Sequence, residues 1–254
     1  MAIGAVSLNT FRETIRNRVL MNILVFAIGM IFLGLAVGDW SMGNQVKVIK
    51  DFGLGAMSVF GLLIAIFIGI RLVVQELERR TIYIIASKPI HRWNIVTGKF
   101  LGLALTLLLN IALMAAALFI TDYIMESSVD LNLIPAIILI YVEILLIVSF
   151  ALFFSSFTSP TLSAIFTLVV FVVGHLSSFL RDYVEVYPDK GFHWLYRAVY
   201  FIVPDLEKLN LKMAAVEHIS NSSGRFIMAF AYGMCYILLV HFITALIFQK
   251  RDLK

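Results

Sequence analysis

Residues 76–99 read ELERRTIYIIASKPIHRWNIVTGK, from Glu76 to Lys99. They form a dense charged island between two long apolar runs. Glu76, Glu78, Arg79, Arg80, Lys88, His91 and Arg92 fall within 17 residues. Ionised groups are costly in hydrocarbon, so an island like this between two spans lies in water or against a soluble partner. Its internal order is a charged helix end, Thr81, a short apolar segment, Ser87-Lys88-Pro89, and then Arg92 and Trp93 at the mouth of the next apolar run. The residues allow two readings: a solvated loop, or a short helix that docks into another protein.

The composition supports a membrane setting. Of 254 residues, 61 % are hydrophobic and 14 % charged, against about 45–50 % and about 25 % in soluble domains. The expected fold is an all-α integral membrane protein with one domain over residues 1–254. The net charge of +4 sits on residues flanking apolar runs, where it orients a membrane protein and does not point to nucleic acid. Cys235 is the one cysteine and lies in an apolar run, so no intrachain disulfide forms.

Six runs reach the ~20 apolar residues that a spanning helix needs. They lie at about 19–38, 53–74, 97–121, 133–154, 161–180 and 226–248. The first ends in Ala36-Val37-Gly38, which resembles a cleavage site, but it is longer than a signal h-region and is read as retained. Before it, Leu8, Phe11, Ile15 and Val19 recur at helical spacing, with Arg12, Glu13 and Arg16 off the stripe. This predicts an amphipathic helix over 1–18 lying along the membrane surface. Thr10 with Glu13 offers an alternative capping box that starts the helix later. Residues 39–52 and 122–132 read as short loops, the second acidic and without Lys or Arg. Ser159 and Pro160 make a helix start for the fifth run. Gly98 and Gly102 allow close helix approach at the start of the third.

The one long connection, 181–225, contains an apolar and aromatic block over 192–203, too short to span. It stops at Pro204, after which Leu206, Leu209 and Met213 recur at helical spacing. Two short re-entrant helices over 192–213 are expected, with Trp194, Tyr196 and Tyr200 at headgroup depth. The alternative is a surface helix that never enters. Segments 1–18, 75–96, 155–160 and 249–254 hold 10 Lys/Arg in 52 residues, and the opposite segments hold 8 in 70. The bias places both termini and Glu76–Lys99 in the cytoplasm.

Sequence patterns for chemistry are few. There is no Walker pattern, no HExxH and no GxSxG, and no metal-spaced cluster involves the five histidines. No catalytic or metal-binding residue is assigned. Glu143 falls near the middle of the fourth run and should face protein or a water-filled cavity. By residue count Asn110 is at similar depth and is its candidate partner, with His175 nearer the outer face. These three would line a translocation path or a dimer seam, or form structural hydrogen bonds.

Three stretches together resemble the ABC-2 type permeases of ABC transporters. The first is Glu76, Glu78, Arg79, Arg80, Thr81, Ser87, Pro89, Arg92, Gly98 and Lys99, similar to the family's coupling segment. The second is Phe154-Ser155-Ser156-Phe157-Thr158-Ser159-Pro160, similar to its turn between spans four and five. The third is Val203-Pro204-Asp205-Leu206-Glu207-Lys208-Leu209-Asn210, similar to a segment before the last span in the branch associated with multicopper-enzyme maturation and gliding-type systems. Arg80 departs from the pattern, since the family often has Gly there. The resemblance implies a cytoplasmic coupling helix between spans two and three, with Ile82, Tyr83 and Ile85 entering a groove on a separate ATPase. Trp194, Tyr200 and Pro204 would belong to an outer gate. It also implies two ATPase copies carrying ATP and Mg, a second permease chain, room for accessory membrane or periplasmic proteins, and a prokaryotic inner (plasma) membrane. The chain itself would hold no cofactor and perform no catalysis. The competing readings are an ion-gradient-driven transporter or channel using Glu143, and a membrane assembly factor.

Overall fold

The computed structural model describes residues 2–39, 44–79, 92–186, 203–217 and 223–250. Among them there is no strand. The helices are α1 (Ala2–Ile15), α2 (Arg18–Asp39), α3 (Gln45–Arg79), α4 (Arg92–Glu126), α5 (Leu133–Ser155) and α6 (Pro160–Val186). A 3-10 turn at Leu206–Leu209 follows, then α7 (Lys212–Val216) and α8 (Ser223–Lys250). Six of them, α2 to α6 and α8, are long and apolar enough to cross a membrane.

The centre of the bundle is α5. It is apolar on every face, as a helix surrounded by other helices must be, and its residues from Leu133 to Leu152 are nearly all buried. α3, α8, α6 and α4 pack around it, and α2 covers α3 and α4 from outside. α3 comes close to its neighbours at small residues. A Cβ at Gly53 would collide with Leu118 of α4, and one at Gly61 with Ile144 of α5. The outward faces carry Val25, Phe26 and Leu33 of α2, and Ile165, Val169 and Phe179 of α6, suited to lipid.

The structure departs from the sequence reading in four places. Residues 45–52, expected as loop, are the first turns of α3, and α2 runs on to Asp39. Charge suggested a loop, but Lys50 is neutralised by carboxylates from elsewhere, while Ile49 is buried against Gly38. α4 likewise continues through Asp122 to Glu126.

The N-terminal stripe is also divided. α1 ends at Ile15, and Val19 belongs to α2, where its N–H donates to Asn17 Oδ1 at 2.9 Å. Thr10 lies inside α1, so no capping box forms at it. The face of α1 that packs on α4 is Ser7, Thr10 and Thr14, while Leu8 points outward at 47 % exposure. Finally, Leu206, Leu209 and Met213 do not share one face. The 3-10 turn ends at Asn210, and Met213 on α7 points out while both leucines are buried. Pro160 is the first residue of α6, and Ser163 N–H donates to Ser159 O at 2.9 Å.

Candidate functional site

The Glu76–Lys99 stretch is described at its two ends. Backbone helix covers Glu76, Glu78 and Arg79 at the end of α3, and Arg92 at the start of α4. Arg80, Thr81, Ile82, Tyr83, Ile85, Ser87 and Pro89 lie outside the described residues, as do the side chains of 71–92. The first turns of α4 are held from two sides. Thr97 Oγ1 lies 3.1 Å from His241 Nε2 on α8, and the Trp93 and Phe100 rings pack on the same imidazole at 5.9 and 5.0 Å between centroids. On the other side, α1 lies directly on Gly98 and Gly102. A Cβ at Gly98 would be 2.7 Å from Val6 Cβ, and one at Gly102 2.6 Å from both Ser7 O and Thr10 Cβ. The glycine pair flagged in the sequence therefore seats the N-terminal helix.

Glu143 is 1 % exposed at the middle of α5. Its partner is His175 of α6, with Oε1 3.4 Å from Nε2. Asn110 is turned along its own helix. Its Nδ2 donates to Thr106 O at 2.7 Å, and Thr106 donates to Gly102 O at 3.0 Å. Equal depth by residue count did not say which face each residue occupies. Nδ1 of His175 lies 3.2 Å from Phe171 O, so that nitrogen carries hydrogen. Glu143 Oε2 has no hydrogen-bond partner among the described residues. Lys212 and Glu207 are the other charged groups acting on this carboxyl.

Both of those residues come from Val203–Glu217, which packs into the bundle against α6, α5, α3 and α8. Pro204 is buried; Trp194 and Tyr200 lie outside the described residues. Asp205 anchors the segment. Its Oδ1 accepts from Ser177 Oγ at 2.7 Å, and its backbone N–H donates to Tyr232 Oη at 2.8 Å. Lys208 lies 3.8 Å from Asp205 Oδ2 and 4.9 Å from the centroid of the Tyr232 ring. Leu206 rests where a side chain on Gly174 would be, with a built Cβ only 2.7 Å from Leu206 Cγ.

A second polar cluster, absent from the sequence reading, gathers around Lys50 near the start of α3. Lys50 is 2 % exposed, and its Nζ lies 3.0 Å from Asp130, 3.1 Å from Glu126 and 3.3 Å from Asp122. Asp122 Oδ2 accepts the Asp130 N–H at 2.9 Å, and Asp130 Oδ1 accepts from the backbone and side chain of Asn132 at 3.0 and 2.9 Å. Burial alone would raise the Asp130 carboxyl, but the bonds from Lys50 and Asn132 hold it below its ordinary value.

Comparison with known families covers almost the whole chain. The profile of the ABC-2 family transporter protein matches residues 5–253. This chain belongs to the ABC-2 family. It is a membrane-spanning permease subunit of an ABC transporter, and family membership implies association with an ATPase subunit. No curated protein matches it.

In this ABC-2 chain the signal for the Lys50 cluster was present but split. Lys47 and Lys50 sat in one expected loop, and a basic-free acidic stretch in another. Charge balance between the two would have paired them. The Asp205–Ser177–Tyr232 contacts had no comparable signal, because they join three separate segments through one hydroxyl, one carboxylate, one phenol and a backbone N–H.

Proposed function

We propose that this permease couples ATP hydrolysis on a separate cytoplasmic ATPase to export, or to conformational work, across the inner (plasma) membrane of a prokaryote. What supports the reading is whole-length family membership combined with the two helices that flank Glu76–Lys99. α3 and α4 are each unbroken over 35 residues. At about 1.5 Å per residue, each is a lever roughly 50 Å long. Each moves as one rigid body, so displacement of the coupling end is carried along the helix without a joint.

In this reading Thr81 to Ser87 is an inserted knob, with Ile82, Tyr83 and Ile85 in a groove on the ATPase. Glu76, Glu78, Arg79 and Arg80 form its charged rim, and Pro89 and Arg92 lead back into α4. Two chains and two ATPases make the working unit, with ATP and Mg on the ATPases. Both termini are cytoplasmic, and α1 lies at the membrane surface with Leu8 toward lipid. Trp194, Tyr200 and Pro204 belong to an outer gate, and Glu143, Asn110 and His175 line the path or the dimer seam. The apolar spans suit a lipid, a hydrophobic peptide or a purely mechanical role better than a hydrated sugar.

The test is affinity purification of the tagged chain from intact membranes. An ATPase subunit should co-purify, and Arg79→Glu with Arg80→Glu should weaken its retention. If the chain, purified free of any ATPase, drives transport in liposomes, the reading is wrong and an ion-coupled mechanism through Glu143 replaces it.

A further inference from the structure

We propose that Lys50 is the fulcrum on which α3 and α4 turn when the coupling end is moved. The proposal rests on the coupling reading above and assigns a positioning role to a cluster at the opposite end of the bundle. Lys50 is the sixth residue of α3, whereas Glu76–Arg79 close that helix. Its three carboxylates come from the last turns of α4 and from the connection into α5. The helices that leave the coupling stretch separately are therefore tied together at their far ends. The tie also holds the α4–α5 connection, because Asp130 bonds both Asp122 and Asn132.

Next to this charged tie, α3 and α4 meet through apolar surface, with Gly53 close on Leu118. A buried ammonium cannot leave its carboxylates without stranding charges in a low-dielectric interior. When the coupling ends move, the apolar contacts shift first and the Lys50 end stays closed. Separation at one end becomes rotation about the other. A lone structural salt bridge would need only one acceptor. Lys50 donates to Glu126 and Asp130 and has Asp122 as a third carboxylate at 3.3 Å, so the ammonium keeps a counter-charge as the helices tilt.

The experiment is pulsed electron spin resonance on the full complex with its ATPase, in nanodiscs, with Cys235→Ser to remove the native thiol. Spin labels at exposed Gln45 and Tyr123 report the Lys50 end, and labels at exposed Phe67 and Leu101 report positions nearer the coupling end. Between nucleotide-free and ATP-trapped states the Phe67–Leu101 separation should change by about 2 Å or more, the scale of helix shifts in switching proteins. The Gln45–Tyr123 separation should not change. In Lys50→Met the far ends should separate on ATP trapping, and Lys50→Arg should restore the fixed distance. If Lys50→Met fails to fold, Lys50→Met with Asp122→Asn and Asp130→Asn removes the stranded charges and makes the same prediction. Equal movement at both ends of the wild type overturns the fulcrum alone. So does a fixed Gln45–Tyr123 distance in a folded Lys50→Met chain. No nucleotide-dependent change near the coupling end overturns the coupling reading, and the fulcrum with it.

Discussion

Gly102→Ala adds one methyl group at the seam between α1 and α4. The added carbon would lie 2.6 Å from the Ser7 carbonyl oxygen and 2.6 Å from Thr10 Cβ. Carbon contacts are comfortable at about 3.5–4.0 Å, so α1 must back away by about 1 Å. The oxygen belongs to helix backbone and cannot turn aside. Overpacking of this kind costs about 1–3 kcal/mol. Replacing Gly by Ala inside a helix also gains about 1 kcal/mol of propensity, so a control carrying the same gain is needed. Gly55→Ala supplies it, because nothing lies within 4 Å of its added Cβ. The assay is maleimide labelling of Ser7→Cys, a position 7 % exposed, in a Cys235→Ser background. A destabilisation of about 1–3 kcal/mol raises the population of detached α1 by about 5–150-fold, and the labelling rate should rise with it. If Gly102→Ala labels no faster than Gly55→Ala, the close α1–α4 seam is not what holds the N-terminal helix.

Two further outcomes follow from the polar clusters. His175→Ala should destabilise the chain in detergent by about 1–3 kcal/mol, because it leaves the buried Glu143 carboxyl without a partner, and by much less when combined with Glu143→Gln; strictly additive effects in this cycle would mean that the two side chains do not interact. The Asp130 carboxyl is held below its ordinary 3.8, so its contribution to stability is full above that unfolded value and fades as pH falls through the folded value. The melting-temperature gap between wild type and Asp130→Asn should therefore narrow below about pH 4, and a gap unchanged from pH 6 to pH 3 would contradict the assignment.

Much of this protein is legible in the chain itself. Membrane spans are visible in sequence because hydrocarbon imposes a length and an apolar composition on each helix separately. The start of α6 at Pro160 was visible for a similar reason, since a cap is a local property of a few residues. The glycines at 98 and 102 announced a close approach, but not that α1 would be the partner. Local rules failed where a charge found its compensation far away. Lys50 looked like a loop residue because Asp122, Glu126 and Asp130 lie more than seventy positions downstream.

The sequence by itself thus determined the class of protein, its six apolar helices and the charged stretch from Glu76 to Lys99. Only the tertiary structure decided which polar groups meet: Glu143 with His175 and not Asn110, Asp205 with Ser177 and Tyr232, and Lys50 with three carboxylates. Hydrophobicity is additive along the chain and can be read residue by residue, whereas a hydrogen bond or an ion pair depends on the face each helix presents and exists only once the helices have packed.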